Sequence, residues 1–395
     1  MRILVSNEAR SGGGGVETYL ASVVAASAAT GHDVALLYAN TAAEQGPTTI
    51  GTGEAWSVKD LGIPEAIARA RAWRPDVCFA HNMRDLDIEE AIVAAWPTVK
   101  MMHAYAGACL SGHKAFAFPS LTACARPCDA GCLAHFLPRR CGRLRPGVMI
   151  DQYRWARRQQ ALFPRYRAMV VASDHMRAEF DRYEGLGGRV TTIPLFTSAP
   201  AEVTSSRTLD VVFLGRLTPL KGADLLLDAL SDASAALGRT VNAVVAGEGP
   251  GRASLQSRAE ALARSGRVNA EVPGWIDAPR RDALLARTSV LALPSRWPEP
   301  FGLVGLEAAR FGVPTVAFDV GGIGTWLRAG VNGLLVPPAE GANGFGAAIA
   351  AVLGDPARYA SLSAGATAAA ARFSTKTHVD ALSRLLAAWR SSGTS

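Results

Sequence analysis

The chain alternates short apolar runs with glycine-containing loops and helix-like stretches, and it does so in two halves. Ile3 to Val5 is a β-branched and apolar run, followed by a loop ending in Ser-Gly-Gly-Gly-Gly and by a stretch from Val16 to about Ala29 whose spacing predicts a helix. Gly31 stops that helix, and Val34 to Tyr38 predicts the next strand. Strand, glycine loop, helix, strand is one βαβ unit of a parallel sheet. Further strands are predicted at Val77 to Ala80, Thr98 to Met102, Ala168 to Ala172 and Val190 to Ile193. Between Pro194 and Leu209 the text is rich in Pro, Ser and Thr without periodicity, which predicts a linker over 196–208.

The second half repeats the alternation more cleanly. Strand "DVVFLG", loop "RLTPLK" and a helix from Gly222 precede strand "NAVVAG", loop "EGPG" and a helix from Arg252; then come "VLALPS", "RWPEPFG" and "VPTVAFD". A last helix is predicted from near Ser374, with Ser374 as N-cap and Val379, Leu382, Leu385, Leu386 and Trp389 at helical spacing. The expected fold class is α/β, with two Rossmann-like domains over 1–195 and 209–372 facing across a cleft, and a terminal helix over 373–395. A Pro/Gly-rich segment over about 105–145 interrupts the first domain.

At 395 residues, 49% hydrophobic and 19% charged, the chain suits two folded domains rather than a disordered one. Its first ten residues lack a signal-peptide core, and no run of about 18 apolar residues occurs, so a cytoplasmic protein with at most peripheral membrane contact is expected. The formal charge of +7 has a local source: nine arginines between Pro138 and Arg167, at 139, 140, 143, 145, 154, 157, 158, 165 and 167, face one acid, Asp151. Tyr153, Trp155, Phe163 and Tyr166 stand among them. Such a block suits an anionic surface, a membrane or an anionic acceptor; a solvated helix face is the competing reading. Nucleic acid is disfavoured, because no zinc-finger, RNP or helix-turn-helix pattern accompanies the block.

Candidate chemistry lies where predicted strands run into loops, the edge at which parallel sheets bind ligands. In "PSRWPEPFGLVGLE", Glu299 falls in the loop and Glu307 one to two turns into the following helix, predicted to start near Phe301 or Gly302. Gly302 has no Cβ, so a ligand can approach the amides of Phe301, Gly302 and Leu303. The two carboxylates lie at different depths and suit two parts of one ligand; an exposed Glu299 and a Glu307 paired with an arginine such as Arg310 is the competing reading. Arg216 and Lys221 bracket a turn before a helix start, where the helix dipole disfavours cations unless a diphosphate is present. Neither a P-loop nor G-x-G-x-x-G occurs; the loop Gly12 to Gly15 lets the backbone reach a phosphate or sugar.

The segments "GRLTPLKG", "GEGPGR", "PSRWPEPFGLVGLEAARFGVPTVAFDVGG", "NGLLVPP" and "SGGGGVETYLASVVAASAATGHDV" resemble the retaining glycosyltransferases of GT-B fold, family-4 type. The resemblance implies transfer of a sugar from a UDP- or GDP-sugar to an acceptor hydroxyl, without a metal for transfer, in polysaccharide, glycolipid or glycoconjugate synthesis. It implies a last helix returning toward the N-terminal domain and a glycan or lipid-linked acceptor. Glu307 would hold the ribose, Glu299 the donor sugar, and Arg216 and Lys221 the leaving diphosphate, with the amides from Phe301 to Leu303. Gly14, Gly15, Glu248 and Trp275 join the donor-binding set, with core packing as the competing reading for Trp275. His103 matches the family's cleft histidine, although Ala104 replaces the Asp that often follows it. His81 is expected to be structural or acceptor-side, and Thr325, where a Glu is common, is expected to cap a helix.

Five of the six cysteines, Cys109, Cys124, Cys128, Cys132 and Cys141, fall in the interrupting segment, which resembles a cysteine-rich insert of some family members. Four of these thiolates around a structural zinc is the expectation; free thiols or a disulfide compete with it. A nucleotide-sugar epimerase or phosphorylase-like enzyme on the same fold, and a non-catalytic sugar-nucleotide-binding protein, are the rival functions.

Overall fold

The computed structural model describes residues 1–390 apart from 13, 41–47 and 203–205. The chain forms two compact units, the first from residues 1–118, 124–194 and 375–395, the second from residues 119–123 and 195–374. Gly13, part of the proposed linker and the last residues of the proposed terminal helix lie outside the described residues.

The first unit is built on seven parallel strands: β1 Arg2–Ala9, β2 Asp33–Asn40, β3 Glu54–Ser57, β4 Val77–Ala80, β5 Thr98–Met102, β6 Ala168–Val171 and β7 Val190–Thr192. Their spatial order is β7-β6-β5-β4-β1-β2-β3. β1 is central and buried from Ile3 to Ser6, which explains its near-continuous apolar text. Val5 registers with Leu36 of β2 on one side and Phe79 of β4 on the other. α1 Gly15–Ala29 buries Tyr19, Leu20, Val23, Val24 and Ser27, one face at helical spacing. β3 was not legible in the sequence because "EAWS" is a short edge strand with only Trp56 and Ser57 buried. Ser11 and Gly12 also pair antiparallel with Thr49 and Thr48, so this part of the expected loop is extended structure.

Behind β4, α2 Leu86–Ala95 packs Ile88 and Ile92 onto Leu4, Cys78 and Ala80. The interrupting segment contains α3 Gly131–Phe136 and leads into α4 Pro146–Leu162. Cys128 and Phe136 pack with Leu110 and with Ala156 of α4 in a small satellite core.

The second unit repeats the architecture with six parallel strands: β8 Leu209–Leu214, β9 Val241–Ala246, β10 Val268–Gly274, β11 Thr288–Leu293, β12 Thr315–Phe318 and β13 Gly333–Val336. Their order is β10-β9-β8-β11-β12-β13. α5 Ala223–Leu237 buries Leu226, Leu227 and Leu230, each contributing about 1.5–3 kcal/mol. α6 Arg252–Arg264, α7 Ala278–Ala286, α8 Val304–Ala309, α9 Gly341–Leu353 and α10 Pro356–Arg372 complete the layers. α8 starts at Val304, not at Phe301 or Gly302, because Gly302 takes φ +79°, a left-handed conformation that a helix cannot include.

α11 Thr375–Ala388 returns to the first unit, where His378, Val379, Leu382 and Leu386 are buried. Among the described residues no helix is long and apolar enough to cross a membrane.

Candidate functional site

In each sheet the strand order reverses next to the first strand, between β1 and β4 in the first unit and between β8 and β11 in the second. Such a reversal leaves a crevice at the carboxyl ends, because the connections on either side run over opposite faces. Arg216, Lys221 and Glu299 follow β8 and β11, Gly14 and Gly15 follow β1, and His103 follows β5, while Glu248 and Trp275 follow β9 and β10 and Glu307 lies on α8.

In the second unit, the loops after β8 and β11 are joined to each other. The Arg296 amide donates to the Leu220 carbonyl at 2.8 Å, its Nε donates to the Pro219 carbonyl at 3.0 Å, and its Nη2 holds Asp224 at 2.8 Å. A Cβ on Gly222 would lie 2.0 Å from the Pro294 carbonyl oxygen, so only glycine allows this approach. Arg296 was missed in the sequence because an arginine in a loop carries no local signal of the backbone it will bridge.

Glu299 lies in the loop after β11 and is only 3% exposed, which overturns the competing reading of an exposed side chain. Its Oε1 accepts from Lys221 Nζ at 2.6 Å, Ser295 Oγ at 2.5 Å and Trp297 Nε1 at 2.9 Å. A buried carboxylate requires this satisfaction, and the charge-assisted bond fixes the Lys221 ammonium beside the switch point. Lys221 also sits 5.4 Å from the Trp297 ring centroid. Beneath Glu299, Gly321 has φ +59° and a Cβ there would lie 2.4 Å from the Glu299 carbonyl oxygen. Arg216 is exposed at the exit of β8, with no ion pair among the described residues.

The amides of Phe301, Gly302 and Leu303 donate to no described residue, while the Phe301 carbonyl accepts from Trp326 Nε1 at 2.7 Å. Glu307 pairs with Arg281, Nη1 to Oε1 2.7 Å, rather than with Arg310, which reaches Asp282 at 3.5 Å. Burial raises the Glu307 carboxyl above its ordinary value, and the Arg281 guanidinium opposes that rise. At the ends of β9 and β10, Glu248 accepts from Arg252 Nη1 at 2.7 Å and from the Trp275 amide at 3.3 Å. Trp275 is 57% exposed, which overturns core packing for it. Thr325 closes the short 3-10 turn Ile323–Thr325 and caps no helix.

In the first unit, Gly14 is the N-cap of α1, and the Glu17 carboxylate folds back over the glycine loop: a Cβ on Gly14 would lie 2.6 Å from Glu17 Oε2. Gly15 opens the helix, with free space around its Cα. Beyond β4 and β5, His81 Nδ1 and His103 Nε2 are 2.9 Å apart, one ring donating and the other accepting. His81 is fully buried and orients His103 where Ala104 cannot. Burial pushes the His103 imidazole down to about 3 and His81 well below its ordinary value, so both are neutral near pH 7.

Below this pair lies a network that the sequence reading passed over. Lys100 Nζ donates to the His81 carbonyl at 2.6 Å and to Glu89, and Glu89 also accepts from Tyr166 Oη at 2.7 Å. The signal was present: a lysine within the otherwise apolar "TVKMM" strand needs a buried partner. A cavity of about 180 Å³ opens here, lined by Arg84, Lys100, His103, Trp155 and Gln159 among others.

The zinc expectation is not met. Among the described residues no group of three or more His, Cys, Asp or Glu side chains is placed to hold a metal ion, and all six cysteines are free. Cys109, Cys124, Cys132 and Cys141 line one small cavity with Leu110 and Phe136; burial raises the Cys124 thiol and pushes Cys141 up to about 12, whereas Cys132 is lowered to about 6. Cys128 is buried in the satellite core, where its amide donates to Tyr183 Oη at 2.9 Å, and Cys132 Sγ donates to the Pro127 carbonyl at 3.6 Å.

Residues 199–369 match the family model of glycosyl transferases, group 1. D-inositol 3-phosphate glycosyltransferase of Rhodococcus opacus is 35% identical over 178 residues, 44% of this chain and 39% of that protein. The protein of the same name from Geodermatophilus obscurus is 35% identical over 236 residues, 55% of this chain and 51% of that protein. The chain thus spans about half or less of the length of these curated relatives. HepE of Anabaena, solved with UDP and glucose, superposes with TM-score 0.67 at 21% identity, covering 98% of this chain and 99% of that one. Sucrose-phosphate synthase of Thermosynechococcus elongatus gives TM-score 0.68 at 19% identity, with 98% of both chains covered. The chain therefore has the GT-B fold, and its residues 199–369 match the glycosyl transferases of group 1.

Proposed function

We propose that the protein is a retaining glycosyltransferase of the family-4 type, which moves a sugar from a UDP- or GDP-sugar to an acceptor hydroxyl in glycan, glycolipid or glycoconjugate synthesis. The observation that carries this reading is the Lys221–Glu299 pair at the switch point between β8 and β11, held by Ser295 and Trp297. A fixed ammonium there suits a leaving diphosphate, whose negative charge grows as the bond to the sugar breaks. Arg216 adds a forked donor, and the three free amides from Phe301 to Leu303 can receive phosphate or sugar oxygens. Glu307 would accept from ribose hydroxyls, with the Arg281 guanidinium opposing the rise that burial imposes on its carboxyl. Glu299 Oε1 is fully engaged, so Oε2 is the atom left for a sugar hydroxyl. Glu248 and Trp275 are assigned to the nucleoside end, where the exposed indole can stack on a base.

Gly14, Gly15 and His103 stand on the crevice of the first unit and are assigned to the same reaction. His103 is held neutral and can exchange hydrogen bonds with a sugar hydroxyl without adding a charge. HepE was solved with UDP and with UDP-glucose, which supports a uridine donor. The curated relatives' name supports an acceptor with a ring hydroxyl, such as an inositol phosphate.

The test is a thermal-shift screen of UDP-, GDP- and ADP-sugars, followed by nucleoside diphosphate release with candidate acceptors. Stabilisation by one donor and release that depends on acceptor, with the product retaining the donor's anomeric configuration by NMR, are expected. An inverted product would remove the retaining assignment; isomerised donor without acceptor would make the protein an epimerase.

A further inference from the structure

The arginine-rich segment divides in two in the folded chain. Arg158 is used internally, its Nη2 reaching Asp87 at 2.5 Å and Glu90 at 2.9 Å on α2. Arg139, Arg140, Arg143, Arg145 and Arg154 are exposed instead, and no carboxylate lies in ion-pair range of any of them among the described residues.

Exposed apolar side chains interleave with these arginines. Five large hydrophobic residues are exposed among the described residues, and three belong here: Phe118 at 46%, Leu144 at 56% and Ile150 at 42%. The amides of Ala117 and Phe118 both donate to the Arg139 carbonyl, at 2.9 and 3.1 Å, so the two segments lie side by side. The Arg140 guanidinium is 4.8 Å from the Phe118 ring centroid, and Arg139 is 5.3 Å from that of Phe116. On α4, Ile150 and Arg154 are four residues apart and share a face.

We propose that this face, Phe118, Leu144 and Ile150 among Arg139, Arg140, Arg143, Arg145 and Arg154, docks on an anionic lipid bilayer. A solvated helix face would gain nothing from three large apolar groups in water. A soluble polyanion would use the guanidinium groups and leave those apolar groups exposed. A bilayer takes both: phosphate groups meet the arginines while the apolar side chains enter the acyl boundary. The inference goes beyond sugar transfer and does not depend on it.

Flotation of the full chain with phosphatidylcholine vesicles, with and without phosphatidylglycerol, tests it. The protein should float only with phosphatidylglycerol and less at high salt. Leu144→Ser with Ile150→Ser should weaken partitioning about tenfold, as should Arg143→Ser with Arg145→Ser, the latter also flattening the salt dependence. Unchanged thermal melting of both pairs shows that they fold. Absence of flotation with anionic vesicles overturns the proposal, as does flotation that neither pair alters. If the Leu144→Ser and Ile150→Ser pair floats and binds heparin like the native chain, the face serves a soluble polyanion and the bilayer assignment falls. Because the readout is partitioning, none of these results bears on donor specificity.

Discussion

The Tyr19 hydroxyl lies 2.8 Å from His378 Nε2, and His378 Nδ1 lies 2.7 Å from the Pro194 carbonyl oxygen. A carbonyl can only accept, so Nδ1 carries the proton and Tyr19 donates to Nε2. Residues from α1, the end of the first unit's main segment and α11 are thereby tied together, although 359 positions separate Tyr19 from His378. Replacing His378 by Phe keeps an aromatic ring in place but removes both of these hydrogen bonds; a loss of about 1–3 kcal/mol by urea unfolding is expected.

The same histidine sets a pH dependence. Burial lowers His378 to about 4, against about 6.5 in an unfolded chain. The folded state resists protonation, so this stability is fully present above pH ~6.5 and is lost as the pH falls toward 4, by about 3 kcal/mol. His81 and His103 act in the same direction. In His378→Asn, which does not titrate, the fall in urea midpoint between pH 6.5 and 4.5 should be smaller than in the native chain; an equal fall would remove His378 as a source.

Lys221→Ala leaves the buried Glu299 without its cation. A cost of about 3 kcal/mol is expected, at the low end for a buried pair because Lys221 is 20% exposed. Turnover should fall by about 10²–10³. Lys221→Met with Glu299→Gln should be more stable than the sum of the single losses implies, since no unpaired charge remains.

His81→Phe removes the bond to His103 while keeping an aromatic ring in the buried position. A positioning role predicts about tenfold lower kcat with little change in donor KM, and a merely structural role predicts a lower melting temperature with kcat intact. Recovery of activity in His81→Asn would support the orienting bond.

Trp275→Ala should leave stability within about 0.5 kcal/mol, because the indole is largely exposed. Donor KM should rise several-fold if the ring stacks on the base. Unchanged KM would detach Trp275 from the donor.

The chain's own pattern determined most of the architecture. Short apolar runs that lead into glycine-containing loops, such as "ILV" at Ile3 to Val5 and "DVVFLG", suit central parallel strands buried on both faces, and the α/β reading follows from their alternation with helix-like stretches. The location of Glu299, Lys221 and Arg216 at strand exits was legible for the same reason, since strand ends are local features. What each carboxylate touches was not. Glu299 is buried under Lys221, Ser295 and Trp297, and Glu307 of α8 meets Arg281 of α7, because strand order brings together residues 78 and 26 positions apart. His81 beneath His103, Lys100 against Glu89 and Tyr19 on His378 are likewise products of tertiary packing. A buried polar group must find a partner, but only the folded chain decides which one is within reach.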